Sequence, residues 1–219
     1  MWRRQGFPGR PACTVSTIRG GRFSTLWRGQ WPPIRCPRMR AGMRPWPLRG
    51  GWLLRRYHDA TVGFVPPRDA VWQLPERAPR EVICHGDVAP YNTVFRTGLP
   101  VAFIDFDAAH PGPRLWDLAL AAYRFVPLSA PGTIGEDVPV AEQARRLELF
   151  TAAYGLTSAA DRAMLLAVAQ ERLVALVEFM RERAAAGDAA FARHCAEGHD
   201  AIYRTDLAYL RAHAAALRG

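Results

Sequence analysis

The chain has 219 residues, enough for one well-packed domain with a shorter appendage. Its side chains are 49% hydrophobic, but no apolar stretch approaches the roughly 20 residues of a membrane helix, which argues against a membrane-spanning chain. The net charge of +9 is uneven: residues 1–58 carry 13 Arg and no Asp or Glu, whereas residues 59–219 carry 16 Arg against all 20 acids, a net of −4.

Residues 1–52 are rich in Arg, Pro and Gly, and no window in them sustains a period of 2 or 3.6. Five of the seven Trp fall within residues 1–56 without a heptad or strand pattern to bury them. Such a segment lacks the aliphatic residues that offset ordering entropy, so an irregular or disordered leader is expected. Its Arg–Trp interleaving resembles a nucleic-acid arm, but phosphate pairing of that kind is non-specific, and nucleic acid is not expected as a partner. A short helix is expected near "GWLLRRYHDAT", and the second domain is set at residues 53–219. Cysteines at 13, 36, 84 and 195 form no CxxC pair, and no apolar signal core follows the first arginines. Both fit a reducing cytoplasm.

From Glu81 the pattern changes. "EVICHG" predicts a short strand, and "NTVFRTGLPVAFIDF" predicts a hairpin with Val94 and Phe95 on one arm, Val101 to Ile104 on the other, and Thr97-Gly98 as the turn. After Pro113 the chain reads as helical: Leu115–Phe125, then Ala141–Tyr154 with Leu147, Phe150 and Tyr154 on one face. Ser158 with Asp161 opens a long helix by a capping box, and its expected core stripe is Leu165, Leu166, Ala169, Leu173, Leu176 and Phe179. A last helix is expected over about residues 189–217. The fold class is therefore α+β, a small hairpin sheet on a mainly helical body of about four helices.

The turn of that hairpin places Asn92, before the first arm, beside Asp105, after the second, with Asp87 in the loop leading in. A carboxylate plus an amide carbonyl is hard-oxygen ligation, suited to Mg²⁺ rather than zinc. Asp87, near the metal but off it, is placed to take a proton from a hydroxyl.

"HGDVAPYN" followed by "FIDFD" resembles the aminoglycoside phosphotransferase and choline kinase-like family, whose fold is that of the protein kinases. "GPRLWDLA" and, more loosely, "LLRRYHDA" are similar to the same family. The resemblance implies a kinase-like C-terminal lobe that uses ATP and Mg²⁺ to phosphorylate a hydroxyl of a small molecule. It makes Asp87 the catalytic base, Asn92 and Asp105 the metal ligands, and Asp107 a lesser contributor near a second metal or the phosphate. His85 would anchor the loop and Asp117 brace it. The family also grips ATP with an N-terminal lobe bearing a phosphate-pairing Lys; this chain contains no lysine, and its first acid is Asp59. That lobe is expected to be missing, from a frameshifted or misplaced start.

Other readings stay open. Asp87, Asn92 and Asp105 are common turn residues, and Asp107 reads equally as a turn cap. Asp117 reads as structural, pairing with backbone amides or Arg114, and His110 reads as a loop residue. "HCAEGH" (His194 to His199) reads as a solvated helix surface. The acceptor is expected to meet the segment after Asp117, where Glu136, Asp137, Glu171 and Glu178 would suit a cationic substrate. A catalytically inactive truncated binding module is the alternative to the enzyme. A metal-dependent phosphohydrolase is a third, weaker one.

Overall fold

The computed structural model describes residues 14–18, 22–26, 46–134 and 136–219. Thr14–Ile18 (β1) and Arg22–Leu26 (β2) pair antiparallel, a hairpin inside the stretch expected to be irregular. The rest of the irregularity expected over residues 1–45 lies outside the described residues.

Helix α1 is Trp46–Thr61 and begins on the leader side of the boundary expected between residues 52 and 53. Two features disguise it in the sequence. Pro47 is its second residue, where a missing N–H is harmless. Gly50 and Gly51 look like breakers, each about 1 kcal/mol worse than Ala in a helix, yet here they permit close packing. A Cβ on Gly50 would lie 2.6 Å from the Phe125 ring, and one on Gly51 2.3 Å from the Phe150 carbonyl oxygen. The pair lets α1 settle against the two helices that carry those residues.

β3 (Val82–Cys84) is buried along its length and pairs with β6 (His110–Gly112). His110, read as a loop residue, is therefore in a buried strand, and its Nδ1 lies 2.9 Å from the Ala108 carbonyl oxygen. The neighbouring Pro111 and Gly112 hide that strand from a pattern search. A 3₁₀ turn at Pro90–Asn92 leads into β4 (Thr93–Arg96), which pairs with β5 (Leu99–Phe103). Thr97 and Gly98 both have positive φ, 51° and 76°, the backbone of a two-residue turn whose twist matches the strands. The hairpin is the one the sequence predicts.

The body consists of α2 (Arg114–Phe125), α3 (Val140–Tyr154) and α4 (Ala159–Ala185), followed by α5 (Ala189–Ala196) and α6 (His199–Arg218). The single last helix expected from the sequence is two, broken at Gly198 with φ 83°. The capping box of α4 is formed: Asp161 N–H donates to Ser158 Oγ and Ser158 N–H to Asp161 Oδ2, both at 3.0 Å. Its buried stripe is Leu165, Ala169 and Leu173, then Val177 and Met180. Leu176 and Phe179 sit only half-buried beside it, and Phe179 packs edge-on against Phe191 of α5. The core joins α1, α2, α3, α4 and α6 around Leu54, Leu118, Phe125, Leu147, Phe150, Leu165 and Leu210. Phe125 and Phe150 stack with ring centroids 6.2 Å apart. Burying such side chains contributes about 1.5–3 kcal/mol each, enough to hold a polar site rigidly at the rim. Together these elements form the C-terminal lobe of a kinase-like fold, α+β in class. Among the described residues, no helix is long and apolar enough to cross a membrane.

Candidate active site

Three turns meet at one edge of the hairpin. The loop after β3 supplies His85, Gly86 and Asp87; the 3₁₀ turn supplies Tyr91 and Asn92; the exit of β5 supplies Asp105 and Asp107. The hairpin ladder runs one bond past its strands, with Ile104 N–H donating to the Asn92 carbonyl at 3.0 Å. That bond sets Asp105, the next residue, beside Asn92. Asn92 Nδ2 donates to the Asp87 carbonyl oxygen at 3.0 Å and to Asp87 Oδ2 at 2.9 Å. The amide nitrogen is thereby committed to Asp87, which leaves the amide oxygen as a cation donor.

Asp105 is exposed and has φ 63°, a conformation that strains a non-glycine residue by roughly 1–2 kcal/mol. Asp107 Oδ1 is buried and accepts no hydrogen bond, although an orphaned carboxylate oxygen costs at least 1–3 kcal/mol, on the order of one lost partner. A bound cation would supply that partner. The donors available, two carboxylates and one amide oxygen, fit Mg²⁺. Among the described residues no group of three or more His, Cys, Asp or Glu side chains is arranged to hold a metal ion, at this edge or elsewhere, so an ion here would also need the Asn92 amide oxygen and donors from its ligand.

The loop is held from behind. His85 Nδ1 accepts the Asp87 N–H at 3.3 Å, so its proton is on Nε2, which donates to the Ile104 carbonyl at 3.0 Å. One imidazole thus links the loop to the exit of the hairpin. Its ring packs between Phe103 and Phe106, with centroids at 5.6 and 4.4 Å. Gly86 has φ 82°, and a Cβ there would lie 2.1 Å from the Ala108 carbonyl oxygen. Only glycine fits this crossing.

Asp117, 1% exposed in the first turn of α2, accepts the His85 N–H at 2.7 Å and the Gly86 N–H at 3.0 Å. Its third partner is His58 Nε2 at 3.0 Å; Arg114 instead pairs with Asp59 at 2.9 Å. Burial opposes ionisation of Asp117, but the His58 hydrogen bond, the neighbouring imidazoles of His58 and His85 and the backbone donors outweigh it and hold the carboxyl down to about 2. His58 Nδ1 in turn meets the Tyr154 hydroxyl at 2.7 Å. Arg172 of α4 enters from the other side, and its Nη2 donates to the Gly86 carbonyl at 2.8 Å. Burial pushes its guanidinium pKa down, while the charges of Asp117 and Asp87 oppose that push.

His58, Tyr154 and Arg172 are loop-holding residues that sequence reasoning did not single out. The family likeness of "LLRRYHDA" carried a signal for the first, which is wholly buried. Nothing local marks Tyr154 or Arg172, which come to the site only by helix packing. Of the acids considered for the acceptor, Glu136 lies 3.4 Å from Arg146, and Asp137 accepts the Gly132 N–H at 2.8 Å. Glu171 and Glu178 are exposed on α4.

A hairpin carrying an amide and a carboxylate on one edge, beneath a braced loop that presents a second carboxylate, is the arrangement expected of a kinase-like C-terminal lobe. The model of the family described as "Phosphotransferase enzyme family" (APH) matches residues 30–166, more than half of the chain, and the chain belongs to that family. It is also 37% identical over 122 residues to the trifolitoxin immunity protein of Rhizobium leguminosarum bv. trifolii. That match covers 53% of this chain and 40% of the relative, so the chain spans less than half of the relative's length. No solved structure matches it.

Proposed function

We propose that the chain transfers the γ-phosphoryl group of ATP to a hydroxyl of a small molecule, with Asp87, Asn92 and Asp105 as the reacting centre. The observation that carries this reading is the coupling of three turns through Asn92: its amide holds Asp87, and its carbonyl receives the Ile104 N–H that sets Asp105 alongside.

Asn92 Oδ1 and Asp105 would hold Mg²⁺, with Asp107 Oδ1 as a further donor. The ion would supply positive charge to the phosphates of ATP. Asp87 orients the acceptor hydroxyl and takes its proton as the new O–P bond forms; the bond from the γ-phosphorus to the bridging oxygen breaks, and ADP leaves. Asn92 keeps Oδ2 of Asp87 occupied, which leaves Oδ1, bonded here by the Tyr91 hydroxyl, as the oxygen for the acceptor. The Asp117–His58–Tyr154 chain and Arg172 hold the loop so that little reorganisation is needed, and positioning is the main catalytic resource in such transfers.

Calorimetric titration with ATP in the presence of Mg²⁺ tests the reading. The chain should bind Mg-ATP, and Asp105→Ala should lose at least ten-fold in affinity while its helical circular dichroism is unchanged. Equal binding by both proteins would sink the assignment. A second reading, a kinase-like module that binds a ligand without turnover, is favoured by the name of the relative, which describes immunity rather than catalysis. It predicts ligand binding that is indifferent to Asp87→Asn and no transfer to any hydroxyl.

A further inference from the structure

One tyrosine removed from Asp87, an arginine stands in a box of phenols. Arg124 of α2 has its guanidinium carbon 5.7 Å from the ring centroid of Tyr91, 5.2 Å from that of Tyr123 and 5.5 Å from that of Tyr203. Its Nη2 donates to the Tyr203 hydroxyl at 2.7 Å, whereas its Nε is buried and has no partner. Burial weighs most against its charge, and the groups that favour that charge are the surrounding phenols of Tyr203, Tyr91 and Tyr123. A guanidinium ordinarily meets a carboxylate or phosphate in a two-pronged contact. Here a cation is held rigid on an aromatic platform with a donor unmet.

Tyr91 links this arginine to the reacting centre. Its hydroxyl donates to Asp87 Oδ1 at 3.0 Å, the oxygen that Asn92 leaves unused. Tyr91 is 59% exposed and sits on the short 3₁₀ turn, so its side chain can leave without disturbing the core. One movement would uncover both the base and the guanidinium. The phenol hydroxyl already occupies the place that an acceptor hydroxyl needs, and its ring spans from there to Arg124.

Resting on the phosphotransferase reading above, we propose that the acceptor is a small hydroxylated anion. Its hydroxyl replaces the Tyr91 phenol on Asp87, and Arg124 holds its carboxylate or phosphate about one phenol ring away. Tyr203, on α6, fixes the guanidinium and makes the last helix part of the acceptor site. A cationic acceptor would bring its ammonium group against Arg124, and two of the acids otherwise suited to it, Glu136 and Asp137, are already engaged.

The test is equilibrium binding of four probes to the full chain at constant ionic strength: glycerate, glycerol 3-phosphate, glycerol and 2-aminoethanol. At least one anion should bind ten-fold or more tighter than glycerol, with 2-aminoethanol no better than glycerol. The stronger of the two anions distinguishes a carboxylate from a phosphate acceptor. Arg124→Gln should reduce anion binding to the level of glycerol, Arg124→Lys should keep part of the preference, and Tyr91→Ala should tighten anion binding by removing the internal competitor. Neutral or cationic probes binding as well as anions, or an anion preference that survives Arg124→Gln, would overturn the proposal. Should the Gln variant fail to fold, the native panel and the Lys variant decide. Mg²⁺-dependent transfer from ATP is measured separately. Transfer to 2-aminoethanol in preference to the anions refutes the anion site and leaves the phosphotransferase reading. Anion selectivity without any transfer does the reverse.

Discussion

Asp117→Asn is the most informative single change to the frame of the site. The native carboxylate accepts three hydrogen bonds, from the His85 and Gly86 N–H groups and from His58 Nε2, in a position 1% exposed. An asparagine has one acceptor oxygen. If it keeps His85 and His58, its NH₂ faces the Gly86 N–H, and a buried donor is left unmet at a cost of about 1–3 kcal/mol. The bonds that survive also lose their charge assistance, worth about another 1–2 kcal/mol. The expected loss is therefore about 2–5 kcal/mol. It should appear as a lower urea midpoint by circular dichroism at 222 nm with an unchanged slope. Amide hydrogen exchange at His85 and Gly86 should accelerate in the same variant, because those are the donors released. Glu76→Gln, which removes a pair with Arg80 at the surface, should cost less than about 1 kcal/mol and serves as the control. An Asp117→Asn loss no larger than the control would refute the claim that this carboxylate holds the loop.

The same carboxylate sets an acid limit. Its folded value of about 2 lies below the usual 3.8, so its contribution is present above pH 3.8 and is lost as pH falls through about 2. A shift of that size corresponds to about 2–3 kcal/mol, and Asp117→Asn should flatten that part of the pH–stability curve measured by urea titration. Thr97→Asn should raise the thermal midpoint, by about 0.5–1 kcal/mol in stability, because Thr97 is β-branched at φ 51° whereas asparagine accepts that conformation. Gly86→Ala should destabilise by more than about 1 kcal/mol and abolish Mg-ATP binding, since its Cβ would meet the Ala108 carbonyl oxygen. A Gly86→Ala protein of native stability by urea titration would contradict the described crossing.

How much of this could be read from the chain depends on where each interaction begins and ends. The hairpin was legible because a Thr-Gly turn between two apolar arms is a local signal, and the approach of Asn92 to Asp105 follows from its register. The capping box of α4 was legible for the same reason. The start of α1 was not: Pro47, Gly50 and Gly51 read as breakers until the ring of Phe125 and the carbonyl of Phe150 show why glycine is needed. β6 was hidden because His110-Pro111-Gly112 has no strand composition, and its pairing with β3 is set by burial from both sides. The supports of the site divide in the same way. Asp117 stood in a recognisable motif, whereas Tyr154 and Arg172 reach the loop from 37 and 55 residues further along the chain. On the acceptor side the acids are conspicuous in the sequence, whereas Arg124 becomes notable only when three tyrosines from separate helices and turns surround it.

The central claim is that Asn92 and Asp105 hold a divalent ion at the phosphates while Asp87 stays off the metal. Electron paramagnetic resonance of Mn²⁺, titrated into the chain with ATP, tests it directly. The account predicts one saturable Mn²⁺–ATP site in the native chain and in Asp87→Asn, weakened at least ten-fold in Asp105→Asn and in Asn92→Ala. Mn²⁺ binding that is absent from the native chain, or unchanged in the last two variants, would contradict it.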